Sequence, residues 1–173
     1  MSDKIFEIYT DDTGAFTVGQ IEAENEDDLV IRGIDEEGKV SAYYVVPKKN
    51  IQEMVSDTPY LGKIRRYMKY AEEHSYGEWF KLPPLPADPS KPLLSQVLHL
   101  AKENGMLITI GKSGDEELLC GYVREIEKGR ILLDLVDPES AQDLTQVKIR
   151  IRDLEFIEYA SISNMLLMYA NKY

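Results

Sequence analysis

Leu29-Val30-Ile31-Arg32-Gly33-Ile34-Asp35 and Ile131-Leu132-Leu133-Asp134-Leu135-Val136-Asp137 are two apolar runs that close on aspartate, 102 positions apart. Sliding the chain against itself by that interval superposes apolar positions without a gap from Ile5 to Glu37. Ile5, Phe6 and Ile8 fall on Leu107, Ile108 and Ile110, and Phe16 and Val18 fall on Leu118 and Cys120. Gly19 falls on Gly121, and Ile21 on Val123. Identities are few; the two stretches share the apolar pattern, a mid-run glycine and the closing aspartate. Self-similarity at a fixed interval predicts one supersecondary unit built twice.

Each copy reads as five short strands. In the second, Leu107 to Lys112 alternates up to the turn Ser113-Gly114-Asp115-Glu116, and Leu118 to Glu127 runs to a turn at Lys128-Gly129. Arg130 to Val136 follows and is stopped by Asp137-Pro138. Val147-Lys148-Ile149-Arg150-Ile151-Arg152 alternates apolar with basic, the pattern of a strand with one buried face, and Leu154 to Tyr159 is the fifth. The first copy gives Phe6 to Thr10, Phe16 to Glu24, Leu29 to Asp35, Val40 to Val46 and Ile51 to Val55. Consecutive short antiparallel strands curl into a small barrel, which leaves little edge exposed. Gly19 and Gly121 stand where a bend or bulge would close it.

Helical patterns flank these units. Pro59 suits a first helical position with Asp57 or Thr58 as cap, and Tyr60, Leu61, Ile64, Tyr67, Met68 and Ala71 follow at helical spacing. Ser90 is expected to cap a second helix whose stripe is Leu93, Leu94, Val97, Leu98 and Ala101, ending at Asn104-Gly105. Ile162, Met165, Leu166 and Tyr169 make a third stripe. Lys81 to Pro89 is too rich in proline for helix or sheet and reads as a stiff connector. The expected class is mainly β with flanking helices (α+β), as two tandem five-stranded barrels of SH3/Sm-like type. Residues 1–80 hold the first barrel and its helix, 81–89 the connector, and 90–173 a helix, the second barrel and a C-terminal helix.

In element order, Ser90 to Tyr159 resembles the Sm-like version of the small SH3-like barrel, and the first copy resembles it more loosely, without a preceding helix. The resemblance implies an RNA pocket lined from the strand 2–3 and strand 4–5 turns. Glu125 to Gly129 offers no asparagine of the kind that family carries there, and the Arg-Gly echo at Arg32-Gly33 falls in the third strand. The closing unit, an alternating strand followed by a second strand and an amphipathic helix, also looks like small uncharacterised bacterial barrel domains, a likeness that implies no activity.

The chain has 173 residues, 43% of them apolar, and a net charge of −11. That apolar content builds a core and excludes a disordered chain. One cysteine, Cys120, excludes a disulfide scaffold. No apolar run approaches the roughly 18–20 residues of a spanning helix, and Met1 to Glu7 does not read as a secretory signal. A cytoplasmic setting is expected. The acidic balance repels nucleic acid and anionic membranes at long range. Its distribution is uneven: fourteen acids and five bases up to Thr58, then five bases and three acids from Pro59 to Leu82.

Constellations for chemistry are sparse. Cys120 stands alone in a predicted strand and suits a small buried hydrophobe, and His74 and His99 belong to no metal-ligand pair. Gly111-Lys112-Ser113-Gly114 contains Gly-Lys-Ser without the upstream glycine of a phosphate loop, and reads as a hairpin turn, as does Asp35 to Lys39. The run Glu22 to Asp28 reads as a solvated strand end and turn. No catalytic residue, metal or cofactor is assigned, and the expected function is a non-catalytic binding or regulatory module acting on a protein partner or on itself. The second reading is RNA binding through Lys63, Arg65, Arg66 and Lys69, or through Lys148, Arg150 and Arg152. Tyr76, Trp79 and Phe80, beside the connector, are candidate aromatic contacts. A hydrolase built on acidic residues ranks last.

Overall fold

Alternation of apolar and polar residues produces strands at nearly every expected place. A computed structural model describes residues 4–10, 14–76, 80–113 and 117–172. The first half contains β1 (Ile5–Tyr9), β2 (Thr17–Glu24), β3 (Asp28–Ile34), β4 (Val40–Pro47), β5 (Glu53–Val55) and α1 (Pro59–Glu73). The second contains α2 (Leu93–Asn104), β6 (Leu107–Lys112), β7 (Leu119–Glu127), β8 (Arg130–Val136), β9 (Asp143–Arg150), β10 (Leu154–Tyr159) and α3 (Ile162–Ala170). A 3-10 turn precedes β5 at Lys48–Asn50, and another precedes β10 at Ile151–Asp153. The protein is thus a β-rich α+β fold.

All ten strands among the described residues belong to one open antiparallel sheet, ordered β5-β1-β2-β3-β4-β10-β6-β7-β8-β9. Each half has the same internal order, with its last strand beside its first. Both halves carry a bulge at the same place: between Ile21 and Ala23 in the β2–β3 pair, and between Val123 and Glu125 in the β7–β8 pair. The halves meet edge to edge, Val45 opposite Ile157 and Tyr43 opposite Tyr159. The two sets of strands therefore continue into one another.

The mid-strand glycines have a steric cause. A Cβ on Gly19 would stand 2.3 Å from Cγ2 of Ile31 and 2.6 Å from the Arg32 carbonyl oxygen. A Cβ on Gly121 would stand 2.6 Å from the Asp134 carbonyl oxygen. Strands cross so closely here that only glycine fits, and the bulge follows two residues on in each half.

The helices are set by caps and apolar stripes. Thr58 accepts from the Leu61 N–H at the start of α1, whose Leu61 and Ile64 are buried against Ile5, Val18 and Ile34. Fully burying each such side chain contributes about 1.5–3 kcal/mol. Gly105 ends α2 in the left-handed conformation, φ 59°. Helix α2 packs Leu93, Leu94, Val97, Leu98 and Ala101 into a core that takes Val30, Tyr43 and Val45 from the first half and Ile108, Ile131 and Leu133 from the second. One apolar core thus spans the joint.

Several expectations need correction. Ser90 does not cap α2: its N–H and hydroxyl both donate to Asp88, and Pro92 holds the cap position. Proline offers no side-chain acceptor, so the cap comes from elsewhere in the chain. Strand β9 begins earlier than Val147 and ends at Arg150, because the chain turns into a 3-10 turn at Ile151; Arg152 lies in that turn. Cys120 is only partly buried, 3.3 Å from the Thr109 hydroxyl. As expected, Asp35 to Lys39 is a hairpin turn, closed by Asp35 N–H to Lys39 O and by the Asp35 carboxylate on two backbone N–H groups. Gly111 and Lys112 end β6, while Gly114 lies outside the described residues.

Candidate functional site

Helix α1 separates its four basic residues. Arg65 and Lys69, one turn apart, line a groove of about 930 Å³ between α1, the β2–β3 face and the connector. Lys63 lies on the other flank, its Nζ 4.3 Å from the centre of the Tyr60 ring and 5.5 Å from that of Tyr67. Arg66 is exposed and does not line the groove. Arg65 donates to the Ser56 carbonyl at 2.7 Å, and Lys69 pairs with Glu73 at 3.6 Å.

Tyr76 and Phe80 line the same groove, whereas Trp79 lies outside the described residues. Lys39 stands 5.1 Å from the Tyr76 ring centre and pairs with Glu37 at 2.5 Å. That pair holds the Lys39 ammonium above its ordinary range and the Glu37 carboxyl below it. The connector crosses the sheet at Tyr43, whose hydroxyl donates to the Pro83 carbonyl at 3.1 Å. Burial first, and the Glu22 carboxylate second, raise the Tyr43 phenol above its usual range, with Arg32 opposing. Arg32, on β3 beside Tyr43, is a groove residue that sequence reasoning passed over as part of a Gly-containing echo.

A second basic surface lies at the turns of the second half. Lys128, Arg130, Arg150 and Arg152 surround a pocket of about 600 Å³. Lys148 is exposed farther along β9 and does not line it. Ile149 is buried, so Lys148 and Arg150 do share the outer face of β9. Arg130 and Arg150 stand directly opposite each other across β8–β9, a like-charge pairing that destabilises a sheet. Asp153 relieves it by accepting from Arg150 at 2.7 Å. Ile151 and Arg152 also border the next pocket, which adds Lys48 and Lys49 from the first half, and Lys49 donates to the Arg152 carbonyl at 3.0 Å. A basic ridge thus crosses the joint, with Glu26, Asp27 and Asp28 along one side.

The third surface is α3. Its stripe faces solvent: Met165 is 42% exposed, Leu166 62% and Tyr169 65%. The face turned to the sheet is partly polar, with Asn164 buried, accepting from the Thr109 hydroxyl at 2.8 Å. Ser161 caps the helix by accepting from the Asn164 N–H at 3.0 Å. Periodicity identifies this stripe but not its direction; the buried Asn164 decides that.

Among the described residues no group of three or more His, Cys, Asp or Glu side chains is placed to hold a metal ion. No described helix is long and apolar enough to cross a membrane. Comparison with models of known protein families, with curated proteins and with solved structures gives no match.

Proposed function

We propose that the protein is a cytoplasmic, non-catalytic binding module made of two Sm-like small barrels in tandem, and that it acts through a protein contact with a second copy of itself at α3. The barrel reading is supported by the repeated strand order and by bulges at matching positions. In it the β4–β10 joint takes the place of an edge pairing between separate subunits.

The contact reading is carried by the outward stripe of α3. Apolar residues at i, i+3, i+4 and i+7 ordinarily face a core; here Met165 and Leu166 face out. The nine residues of α3 include no charged side chain, on a chain whose net charge is −11. Two copies placed face to face by a two-fold axis bring no like charges together at this helix, which favours an isologous pair. Light scattering after size exclusion tests it: the wild type is expected as a dimer at tens of micromolar and Leu166→Asp as a monomer that keeps the wild-type far-UV circular dichroism and a cooperative melt. A monomeric wild type, or a dimer that survives Leu166→Asp, overturns the reading.

A second reading, single-stranded RNA on the basic ridge, is favoured by the opposed Arg130 and Arg150. An RNA phosphate between them would add to the relief that Asp153 gives Arg150. Fluorescence anisotropy with short labelled RNA is expected to show binding that weakens steeply with salt and is lost in Arg130→Ala/Arg150→Ala. Absence of binding at low salt removes this reading.

A further inference from the structure

We infer that the groove between α1, the β2–β3 face and the connector binds a small phosphorylated ligand with a planar ring, of nucleotide type, and that Arg32 is its phosphate fork. This site is distinct from the α3 contact and from the basic ridge. Arg32 lies mid-strand on β3, opposite Gln20 on one side and Tyr43 on the other. Its Nε is buried and has no hydrogen-bond partner. A buried guanidinium donor left unpaired is destabilising, and the planar fork matches phosphate oxygens.

The surrounding charge fits the same ligand. Of the other cations lining the groove, Lys39 is matched by Glu37 and Lys69 by Glu73. Arg32, Arg65 and Lys81 remain, against the lining carboxylate of Glu72 and that of Glu22, whose charge, like that of Arg32, acts on Tyr43. Arg65 uses one nitrogen on Ser56, and its charge still faces the groove. In a chain of net charge −11, such a local excess of positive charge concentrates anions. Tyr76 and Phe80 add ring surface on the connector side, where a planar group stacks favourably. The volume, about 930 Å³, is within the range of small-molecule sites.

Glu22 opposes this ligand. One of its oxygens is buried without a partner, and its charge acts on the same Tyr43 phenol as that of Arg32. Glu22→Gln therefore tightens anion binding. The test is calorimetric titration of the full chain with ATP and, separately, with pyrophosphate, at physiological salt without divalent cations. Melting temperatures are read in parallel, and a saturating ligand raises the wild type by about 5 °C.

Expected results are binding of both ligands, with ATP at least tenfold tighter, and a tenfold or greater loss for both in Arg32→Met. Arg65→Ala weakens both by severalfold and guards against a misfolded Arg32 variant. Lys102→Ala, at an exposed position of α2 outside the groove, leaves binding unchanged, whereas loss of binding in Arg130→Ala/Arg150→Ala but not in Arg32→Met would place the anion on the ridge and overturn the inference. No heat or melting shift with either ligand up to millimolar overturns the inference, as does wild-type affinity in Arg32→Met. Equal affinities for ATP and pyrophosphate overturn its ring component.

Discussion

The carboxylate of Asp28 accepts a hydrogen bond from the backbone N–H of Leu94, 3.1 Å away and 66 residues later, with the whole contact buried. Asp28 starts β3 of the first half, and Leu94 lies in the first turn of α2. The first turn of a helix presents unsatisfied N–H groups and positive partial charge. Where Pro92 supplies no cap, the other half supplies one. Asn25 adds a second link, its Nδ2 donating to the Lys91 carbonyl at 2.8 Å. The joint therefore rests on four kinds of interaction: the β4–β10 pairing, a shared core, a helix cap delivered across it, and side-chain hydrogen bonds to backbone carbonyls.

Removing that cap destabilises the whole fold. Asp28→Ala is expected to cost about 1–3 kcal/mol, combining a lost cap with buried donors left unpaired. Asp28→Asn keeps a side-chain oxygen for Leu94 and loses only the charge, so it costs less. Urea denaturation of the three proteins checks the order. An Asp28→Ala variant as stable as wild type would show that water replaces the carboxylate.

The paired glycines predict paired costs. Alanine at Gly19 meets both Ile31 and the Arg32 backbone, whereas alanine at Gly121 meets backbone of Asp134 and Leu135. Backbone cannot rotate away, so both substitutions force adjacent strands apart and cost about 2–4 kcal/mol each. Gly62, which has open space around its Cβ position within α1, is the control: Gly62→Ala stabilises by about 0.5–1 kcal/mol. Thermal melts of the three variants decide it.

The strands and the first helix were legible because each depends on local alternation, spacing or capping. Thr58 caps α1 by its own side chain, so Thr58-Pro59 could be read directly. Ser90 misled for the same reason: it looks like a cap, but Asp28, remote in sequence, takes that role. The basic residues of α1 were legible as charges but not as a surface, since Lys63 is drawn to Tyr60 and away from Arg65. The place of Arg32 in a groove was invisible because the groove is closed by α1 and the connector, which are remote from β3 in sequence. The outward face of α3 was equally hidden, because it depends on one cross-element contact, Asn164 with Thr109.

That contact makes its own prediction. Asn164 is 2% exposed, and its side chain also donates to the Glu158 carbonyl at 3.4 Å. Asn164→Leu leaves the Thr109 hydroxyl and the Glu158 carbonyl without that partner, at a cost of about 1–3 kcal/mol. Thr109→Val in the same background restores part of it, because both partners are then apolar. A double-mutant cycle is therefore expected to give a coupling of at least about 0.5 kcal/mol. Simple additivity would mean that the pair contributes nothing beyond its separate parts.

Alkaline pH attacks the fold through two buried tyrosines, Tyr43 and Tyr159, and two half-buried ones, Tyr44 and Tyr122. Burial is the leading cause that raises the phenols of Tyr43, Tyr44, Tyr122 and Tyr159 above 10.0, most strongly at Tyr44, where Glu158 adds to it. Below pH about 10 each phenol is neutral in both folded and unfolded chains, and its packing contributes fully. As pH rises beyond that, the unfolded chain ionises while the folded chain resists, so stability falls. Urea midpoints are expected to be flat from pH 7 to 9 and to drop by pH 11. Tyr44→Phe lessens the drop, because its ring keeps its packing against the core without an ionisable group. Absorbance at 295 nm gives the independent check: native protein shows a late-titrating tyrosine fraction that merges with the rest in urea. A single native titration near pH 10 would refute the burial of these phenols.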